Sequence, residues 1–270
     1  MAINYAGKYS NKIDERFARE SITNSVLNSE YDFVGVKSVT VYSVPTAPMN
    51  DYTRNGSERY GTPTELENNV QELVMSKDRS FTFTIDRGNF NDTQMANSAG
   101  LALQRQLREV VIPEIDMYRL GVIKDNAGTT VEDSFESAYD AFLDATTSFI
   151  DNNILLENCV AFVSSHFYKL IKEDASFIRN GDLSQKMLMK GQVGEVDGVA
   201  LIVVPSSYMP EGVEFMLVSK EAVTAPVKLS EYKIHDNPPG INGWLVEGRV
   251  YYDAFVLNSK NKGIYVQLSA

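Results

Sequence analysis

The chain has 270 residues, of which 43% are apolar, so it can bury a sizeable core in one large or two modest domains. Its formal net charge of −11 disfavours a general nucleic-acid-binding protein, because such proteins present a basic surface. One cysteine excludes an intramolecular disulfide framework, and there is neither a signal peptide nor a stretch approaching the ~18 apolar residues of a membrane span. We therefore expect a soluble protein made and used in a reducing setting.

The N-terminal third of the chain predicts extended structure. Residues 1–35 hold few apolar side chains that could be buried, so we expect an arm that becomes ordered against a partner. Two strand-like runs follow: Val36–Val44 is rich in β-branched residues, and Ser80–Asp86 alternates apolar and hydroxyl side chains. A long polar stretch separates the runs, broken by prolines and by a tight Asn55–Gly56 turn.

Such a long unburied connection is uncommon in a compact domain unless it is functional. If the two runs pair, the stretch between them forms a two-stranded arm, which at roughly 3.3 Å per residue could reach on the order of 50 Å from the body. An arm of this kind predicts that the protein contacts a neighbouring molecule through it.

A long helix is predicted over residues 91–124, beginning at a capping-box pattern from Asn91 to Gln94. Apolar residues follow with helical spacing, namely Ala96, Ala99, Leu103, Leu107, Val110, Val111, Ile115 and Tyr118. Pro113 lacks a backbone hydrogen-bond donor, so we expect a kink or break near Val110–Ile112.

A second amphipathic helix is predicted over residues 132–152. Its apolar stripe consists of Phe135, Ala138, Tyr139, Phe142, Leu143, Thr146, Phe149 and Ile150. Its opposite face carries the acidic residues Glu132, Asp133, Glu136, Asp140 and Asp144. We interpret this row as a solvated face; metal binding is a weak alternative, because no histidine or second convergent set accompanies it.

Strands and helices alternate in the next part of the chain, which predicts a mixed α/β lobe over residues 154–226. A buried strand is expected at Val160–Val163, then a helix capped at Ser164 or Ser165 and ending near Ile178, then a hairpin around Asp197–Gly198 and a strand at Phe215–Val218. The last predicted strands are Leu245–Tyr252, Phe255–Leu257 and Gly263–Gln267. We expect them to pair with the base of the hairpin or with the helical body.

The residues that could carry chemistry form no catalytic set. A triad could be assembled on paper around His166 or His235, but the chain has no Gly-x-Ser-x-Gly motif. Cys159 lies in an apolar run and is expected to be a buried core thiol. The glycine-rich run 191–198 lacks the Gly-Lys-Ser/Thr of a phosphate-binding loop. We therefore expect no enzymatic activity, no cofactor and no metal.

The order of these parts resembles that of the major capsid protein of tailed bacteriophages, which has the Hong Kong phage-type shell fold. Individual segments are also similar to the siphophage capsid proteins of Gram-positive hosts: Tyr42–Tyr52, Arg79–Asn89, Val111–Asp116 and Tyr252–Val256. The resemblance implies an α+β fold in five parts. These are an N-terminal arm (1–35), an extended β-hairpin loop (36–90), a peripheral domain with a long spine helix (91–153), an axial α/β domain (154–226) and a return to the peripheral domain (227–270).

The resemblance implies a structural subunit of an icosahedral phage head, located in the virion and assembled in the host cytoplasm. Its partners would be further copies of itself in pentamers and hexamers, a separate scaffolding protein, portal and head-completion proteins, and packaged double-stranded DNA contacted without sequence specificity, with no membrane involved. An encapsulin-like bacterial nanocompartment shell protein is the alternative with the same fold. A small α/β hydrolase is a remote alternative.

Exposed residues of the hairpin loop are the candidate intersubunit contacts. The candidates are Met49, Tyr52, Arg54, Glu58, Arg59 and Tyr60, together with Trp244, which follows a Pro- and Gly-rich loop. Ordinary solvated loop residues are the alternative interpretation. Some capsid proteins of this type crosslink through a lysine–asparagine bond, but Lys77 lies at the base of the hairpin and not near Tyr52–Tyr60, so we expect a non-covalent shell.

Overall fold

The computed structural model describes residues 21–24, 27–28, 38–63, 65–66, 68–88, 98–174 and 194–269. Most of the predicted N-terminal arm and the capping box at Asn91–Gln94 lie outside the described residues. The helix expected to end near Ile178 ends earlier, at Glu173, and the following Asp174 has an extended backbone. The rest is an α+β structure, as the sequence predicts.

The elements are numbered in chain order. The strands are β1 (Ser38–Ser43), β2 (Asn69–Val74), β3 (Lys77–Asp86), β4 (Thr129–Glu132), β5 (Cys159–Ser164), β6 (Glu195–Val196), β7 (Val199–Val204), β8 (Val213–Ser219), β9 (Val223–Thr224), β10 (Val227–Asp236), β11 (Gly243–Tyr252), β12 (Phe255–Val256) and β13 (Ile264–Leu268). The α-helices are α1 (Ser98–Gln106), α2 (Ile112–Asp125), α3 (Ala138–Asp151) and α4 (Ser165–Glu173). A π-helical segment, Leu107–Val111, joins α1 to α2, and 3₁₀ turns occupy Leu156–Asn158 and Asn258–Gly263.

A mixed sheet in the order β4-β13-β8-β5-β7-β6 forms the largest layer. Every residue of β5 is buried, since helices cover both faces of the sheet. On one face, α3 and α4 bring Phe142 and Phe167 against Phe215, with ring centroids 5.7 Å and 4.6 Å apart. On the other face, α2 contributes the buried side chains of Leu120 and Ile123. The strand predicted at Val160–Val163, the Ser164 cap and the Asp197–Gly198 hairpin are confirmed.

The C-terminal strand has different partners from those expected. β13 pairs with β8 and with β4, so the prediction is wrong for this strand, whereas the predicted strand Leu245–Tyr252 does pair with Ser80–Asp86 at the base of the hairpin. The reason is that Ile264–Val266 are buried on both faces and need a sheet that is covered on both sides. Helix α3 packs on this same sheet. The core between them therefore contains residues from both sides of the predicted domain boundaries at 153/154 and 226/227.

A second sheet has the order β10-β11-β3 and packs against α1, the π-helical segment and α2. The described residues of the runs Val36–Val44 and Ser80–Asp86 do not pair with each other, as they would in a single hairpin. β1 pairs with β2, and β3 pairs with β11. The sequence does not predict β2, because polar residues predominate in it and its inward-facing residues include the polar Gln71 beside the buried Leu73. Below, β1, β2 and the loop between them (38–74) are termed the hairpin arm.

The spine helix is irregular where Pro113 predicts a break. Ile112 N–H donates to the carbonyl of Leu107, five residues earlier, so the turn is π-helical. Pro113 has no N–H to continue the α-helical pattern, and the wider turn accommodates the extra residue. This turn keeps Leu107 and Val111 in the core but leaves Val110, which the sequence placed on the apolar stripe, exposed.

The second predicted helix begins later than expected. Ser137 caps α3 by accepting a hydrogen bond from Asp140 N at 3.1 Å, whereas Glu132 lies on β4. The acidic row is solvent-exposed, as predicted. Ile150, which lies on the predicted apolar stripe, is exposed, whereas the adjacent Phe149 is buried in the core.

Candidate intersubunit surfaces

The base of the hairpin arm carries apolar side chains on both of its faces. On the inner face Val39, Val41 and Leu73 pack towards Met75 and Leu257 of the same chain. On the outer face Tyr42 lies opposite Val70 in the strand register, and both side chains are exposed, Tyr42 by 67%. An apolar face without a cover on the same chain is typical of an interaction surface.

The loop of the arm folds into a compact bend. Thr53 N donates to Arg59 O at 3.1 Å, and Gly61 N donates to Glu58 O at 3.2 Å. Gly56 lies within this bend with φ 101°, a conformation that favours glycine. Some backbone groups of the loop are therefore bonded to each other within the bend, and the side chains of the loop are exposed around it.

The bend brings some of the predicted contact residues together. The rings of Tyr52 and Tyr60 meet edge to face with centroids 5.1 Å apart, and Arg59 Nε donates to Gly56 O at 3.2 Å. Tyr60 is 83% exposed and Met49 is 98% exposed. The remaining two candidates, Arg54 and Glu58, are also exposed. The loop thus presents an aromatic pair and a methionine flanked by charges.

Trp244 does not join this group. It lies on β11 opposite Ile85 of β3, and the Arg87 guanidinium lies 5.4 Å from its ring centroid. Arg87 also donates to Asp236 Oδ1 at 3.0 Å. The half-buried tryptophan therefore packs within its own sheet, at a distance along the chain from the loop candidates.

A part of the predicted N-terminal arm packs on its own chain. Asp116 of α2 is fully buried and accepts hydrogen bonds from Ser21 Oγ at 2.7 Å, Ile22 N at 3.0 Å and Thr23 Oγ1 at 2.6 Å. Arg119, one helical turn later, donates to the same Thr23 hydroxyl at 2.9 Å. The expectation that the arm orders only against a partner is wrong for these residues. The missed signal was the i, i+3 pair of opposite charges, Asp116 and Arg119, between the apolar residues Ile115 and Leu120 of the helix.

The Arg119 side chain is enclosed by this packing. It donates to Ala225 O at 3.1 Å, and Ala225 N donates in turn to Asn28 O at 3.1 Å. Burial lowers the pKa of the guanidinium to about 10, while Asp116 acts on that pKa in the opposite direction. The N-terminal residues therefore link α2 to the chain around β9.

The histidines and the cysteine do not assemble into the catalytic arrangements considered above. His166 Nδ1 lies 3.3 Å from Glu214 Oε2, and His235 Nε2 lies 3.2 Å from Glu247 Oε2. Cys159 is buried and its thiol contacts Leu155 O at 3.3 Å, as expected of a core thiol. Burial raises the pKa of this thiol to about 11, which makes it a poor nucleophile.

Among the described residues, no group of three or more histidine, cysteine, aspartate or glutamate side chains is placed to hold a metal ion. No helix in this part of the chain is long and apolar enough to cross a membrane.

Comparison with solved structures identifies the fold. A structure from Mycobacterium phage Che8 superposes with a TM-score of 0.66 at 15% sequence identity, covering 91% of this chain and 90% of the other. The capsid structure of the cyanophage P-SCSP1u gives a TM-score of 0.65 at 11% identity, covering 93% of this chain and 88% of the other. The chain has the phage-capsid shell fold.

The same fold occurs outside these phages. A virus-like particle from Pyrococcus furiosus superposes with a TM-score of 0.61 at 10% identity, covering 98% of this chain and 100% of the other. No family model matches the sequence, and no curated protein matches it. The likeness is therefore one of fold, with the sequences far apart.

Proposed function

We propose that this protein is the structural subunit of a tailed-phage head, which assembles with copies of itself into pentamers and hexamers around double-stranded DNA. The observation that carries the proposal is the likeness to a cyanophage capsid over nine-tenths of both chains. Its role is structural and not enzymatic, and its place is the virion.

The hairpin arm supports this role. The large side chains of Met49, Tyr60 and Tyr42 are exposed to solvent, and apolar surface of this kind often marks a protein–protein contact. Exposed aromatic residues and arginines are the side chains that most often dominate protein–protein contacts. In the proposed shell, the loop candidates and the outer face of the arm contact a neighbouring copy.

Partners other than further copies follow from the same proposal. A separate scaffolding protein would guide assembly in the host cytoplasm, and portal and head-completion proteins would finish the head. The net charge of −11 suits a wall that encloses DNA without holding it. The sequence resemblance and the likeness to a Mycobacterium phage structure favour a siphophage of a Gram-positive host.

The second candidate function is an encapsulin-like compartment. The observation that favours it is the match over the full length of the Pyrococcus furiosus particle subunit. The two functions differ in content, because a phage head encloses DNA whereas a compartment encloses protein cargo. Mass spectrometry and nuclease digestion of shells purified from the native source distinguish them.

The test of the proposed function is assembly of the purified chain, alone and with its scaffolding protein, followed by light scattering and negative-stain microscopy. We expect closed shells with five-fold and six-fold units. Deletion of residues 48–62 should abolish them, and a Gly-Ser segment of equal length in the same place should also fail, because the contacts lie in the side chains. A chain that stays monomeric in every buffer and beside its scaffold contradicts the proposal.

A further inference from the structure

Asp253 is a buried carboxylate at the point where the hairpin arm joins the body. It lies between β11 and β12 and is 2% exposed. Its Oδ2 accepts hydrogen bonds from Ser76 N at 2.6 Å and from Ser76 Oγ at 3.0 Å. Its Oδ1 accepts from Tyr118 OH at 2.6 Å and from Ala254 N at 2.8 Å. One oxygen therefore binds the root of the arm, and the other binds helix α2 and the body.

We propose that Asp253 is a positioning residue that fixes the direction of the hairpin arm relative to α2. The purpose of this positioning, contact between the arm and another copy of the chain, rests on the proposed function; the positioning itself does not. Met75 and Ser76 separate β2 from β3, so Ser76 lies where the C-terminal end of the arm joins the body.

The chemistry of the site requires a carboxylate. Backbone N–H groups can only donate, and the N–H groups of Ser76 and Ala254 point at different oxygens of Asp253. An amide side chain offers one acceptor oxygen and one NH₂ group, so either orientation places an NH₂ against a backbone N–H. Asparagine therefore fits the space but leaves one of the two connections broken.

A second contact links the same two elements. Lys77 Nζ, on the residue after Ser76, lies 4.8 Å from the centroid of the Tyr118 ring. Burial, followed by the hydrogen bond to Asp253, raises the pKa of Tyr118, so the hydroxyl stays protonated and continues to donate. Tyr118 thus holds the root of the arm through its hydroxyl and through its ring.

The other attachments of the arm lead to a different part of the molecule. Gln71 Nε2 donates to Val256 O at 2.9 Å, and Gln71 Oε1 accepts from Asn258 N at 2.9 Å. Tyr251 OH donates to Met75 O at 3.0 Å. The contacts of Gln71 join the arm to the chain around β12, and that of Tyr251 joins Met75 to β11, whereas Asp253 joins Ser76 to α2 as well. A rotation of about 10° at the root would move the end of a ladder about 20 Å long by roughly 3–4 Å, enough to misplace a contact.

The experiment compares Asp253→Asn with Asp78→Asn in unassembled, full-length subunits, below the concentration at which shells form. Asp78 is an exposed β3 carboxylate paired with Arg249, so its variant removes the same charge close to the root without touching Ser76. Spin labels at Glu72→Cys on the arm and Asp125→Cys at the end of α2 report the distance between the two elements, while the buried Cys159 stays unlabelled. Hydrogen exchange follows β1 and β2 against β5 and β8.

We expect Asp253→Asn to broaden the label-to-label distance distribution and to raise amide exchange in β1 and β2 by about tenfold or more, with β5 and β8 unchanged. Asp78→Asn should leave both readouts at the wild-type values. An unchanged distance distribution overturns the proposal, and so does a rise in exchange that is equal in β5 and β8, since Asp253 would then serve general stability. Neither readout depends on shell formation, so a wild-type chain that fails to assemble removes the proposed function and leaves this inference to be judged separately.

Discussion

Replacing Asp116 by alanine tests how the N-terminal residues are held to α2. The substitution removes an acceptor that binds Ser21, Ile22 and Thr23, and it leaves the guanidinium of Arg119 buried without its carboxylate. Among the described residues, Arg119 Nε already has no hydrogen-bond partner, so the site offers little to replace the lost charge. Asp116 and Arg119 both bind the Thr23 hydroxyl, and removing one of two charges that offset each other in a buried site typically costs about 3–5 kcal/mol.

We therefore expect Asp116→Ala to lower the free energy of unfolding by about 3–5 kcal/mol, a large part of the total stability of an ordinary domain. The assay is urea unfolding of the unassembled subunit, followed by fluorescence and circular dichroism. Glu109→Ala is the matched control on the same spine, because Glu109 forms an exposed i, i+4 pair with Arg105. That control should cost no more than about 0.5 kcal/mol.

A double variant separates the charge from the packing. Asp116→Leu with Arg119→Met removes both charges and keeps most of the volume, so it should cost clearly less than the sum of the two single variants. If Asp116→Ala costs no more than the Glu109 control, the carboxylate is not holding the N-terminal residues, and the argument from its burial fails.

Three further predictions follow from other parts of the structure. Gly248→Ala on β11 should lower the free energy of unfolding by about 1–3 kcal/mol, because its Cβ would overlap the ring of Phe81. Burial raises the pKa of Tyr252 to about 12, above the ordinary ~10, so the unfolded chain loses its proton first and stability should fall from about pH 10 upward; Tyr252→Phe should flatten that fall in urea titrations. The double variant Met49→Ala with Tyr60→Ala should raise the subunit concentration needed for shells by about tenfold or more without changing unfolding, because both side chains are exposed in the single subunit.

Each of these predictions has a control or a contradicting result. Gly121→Ala on α2 meets no atom within 4 Å, so it should be neutral or slightly stabilising, and an equal loss at both glycines would refute the steric argument. A Tyr252→Phe profile parallel to wild type above pH 10 would contradict the linkage argument. Shells that form at the wild-type concentration without Met49 and Tyr60 would exclude these side chains as contacts.

The features that could be predicted from the sequence depend on neighbouring residues. Ser164 caps α4 through a hydrogen bond to Phe167 N at 3.0 Å, three residues away, and the Asp197–Gly198 turn needs two residues of positive φ. The irregularity before Pro113 follows from one missing N–H group. In each case the structure depends on residues that lie within a few positions of one another in the sequence.

The features that were missed depend on partners far along the chain. Alternation in Ser80–Asp86 predicts a strand but not its neighbour, and the neighbour proved to be β11, some 160 residues later in the numbering. The same limit explains the wrong partner for β13. At the candidate contact surface, the sequence indicated which loop residues are exposed, but the meeting of Tyr52 and Tyr60 depends on a bend that periodicity does not specify.

Helix α2 is where the missed contacts meet, and its composition explains why they were missed. Asp116 holds the N-terminal residues, Tyr118 reaches the root of the hairpin arm, and Leu120 packs on the large sheet. On an apolar stripe the Asp116 carboxylate looks like an interruption and the Tyr118 hydroxyl is easily overlooked, yet each forms hydrogen bonds with a segment distant in the sequence. Helix α2 therefore contacts the N-terminal residues, the root of the arm and the sheet, while the π-helical turn directly before it makes its connection to α1 irregular. Any displacement of α2 relative to α1 would therefore carry these three attachments together.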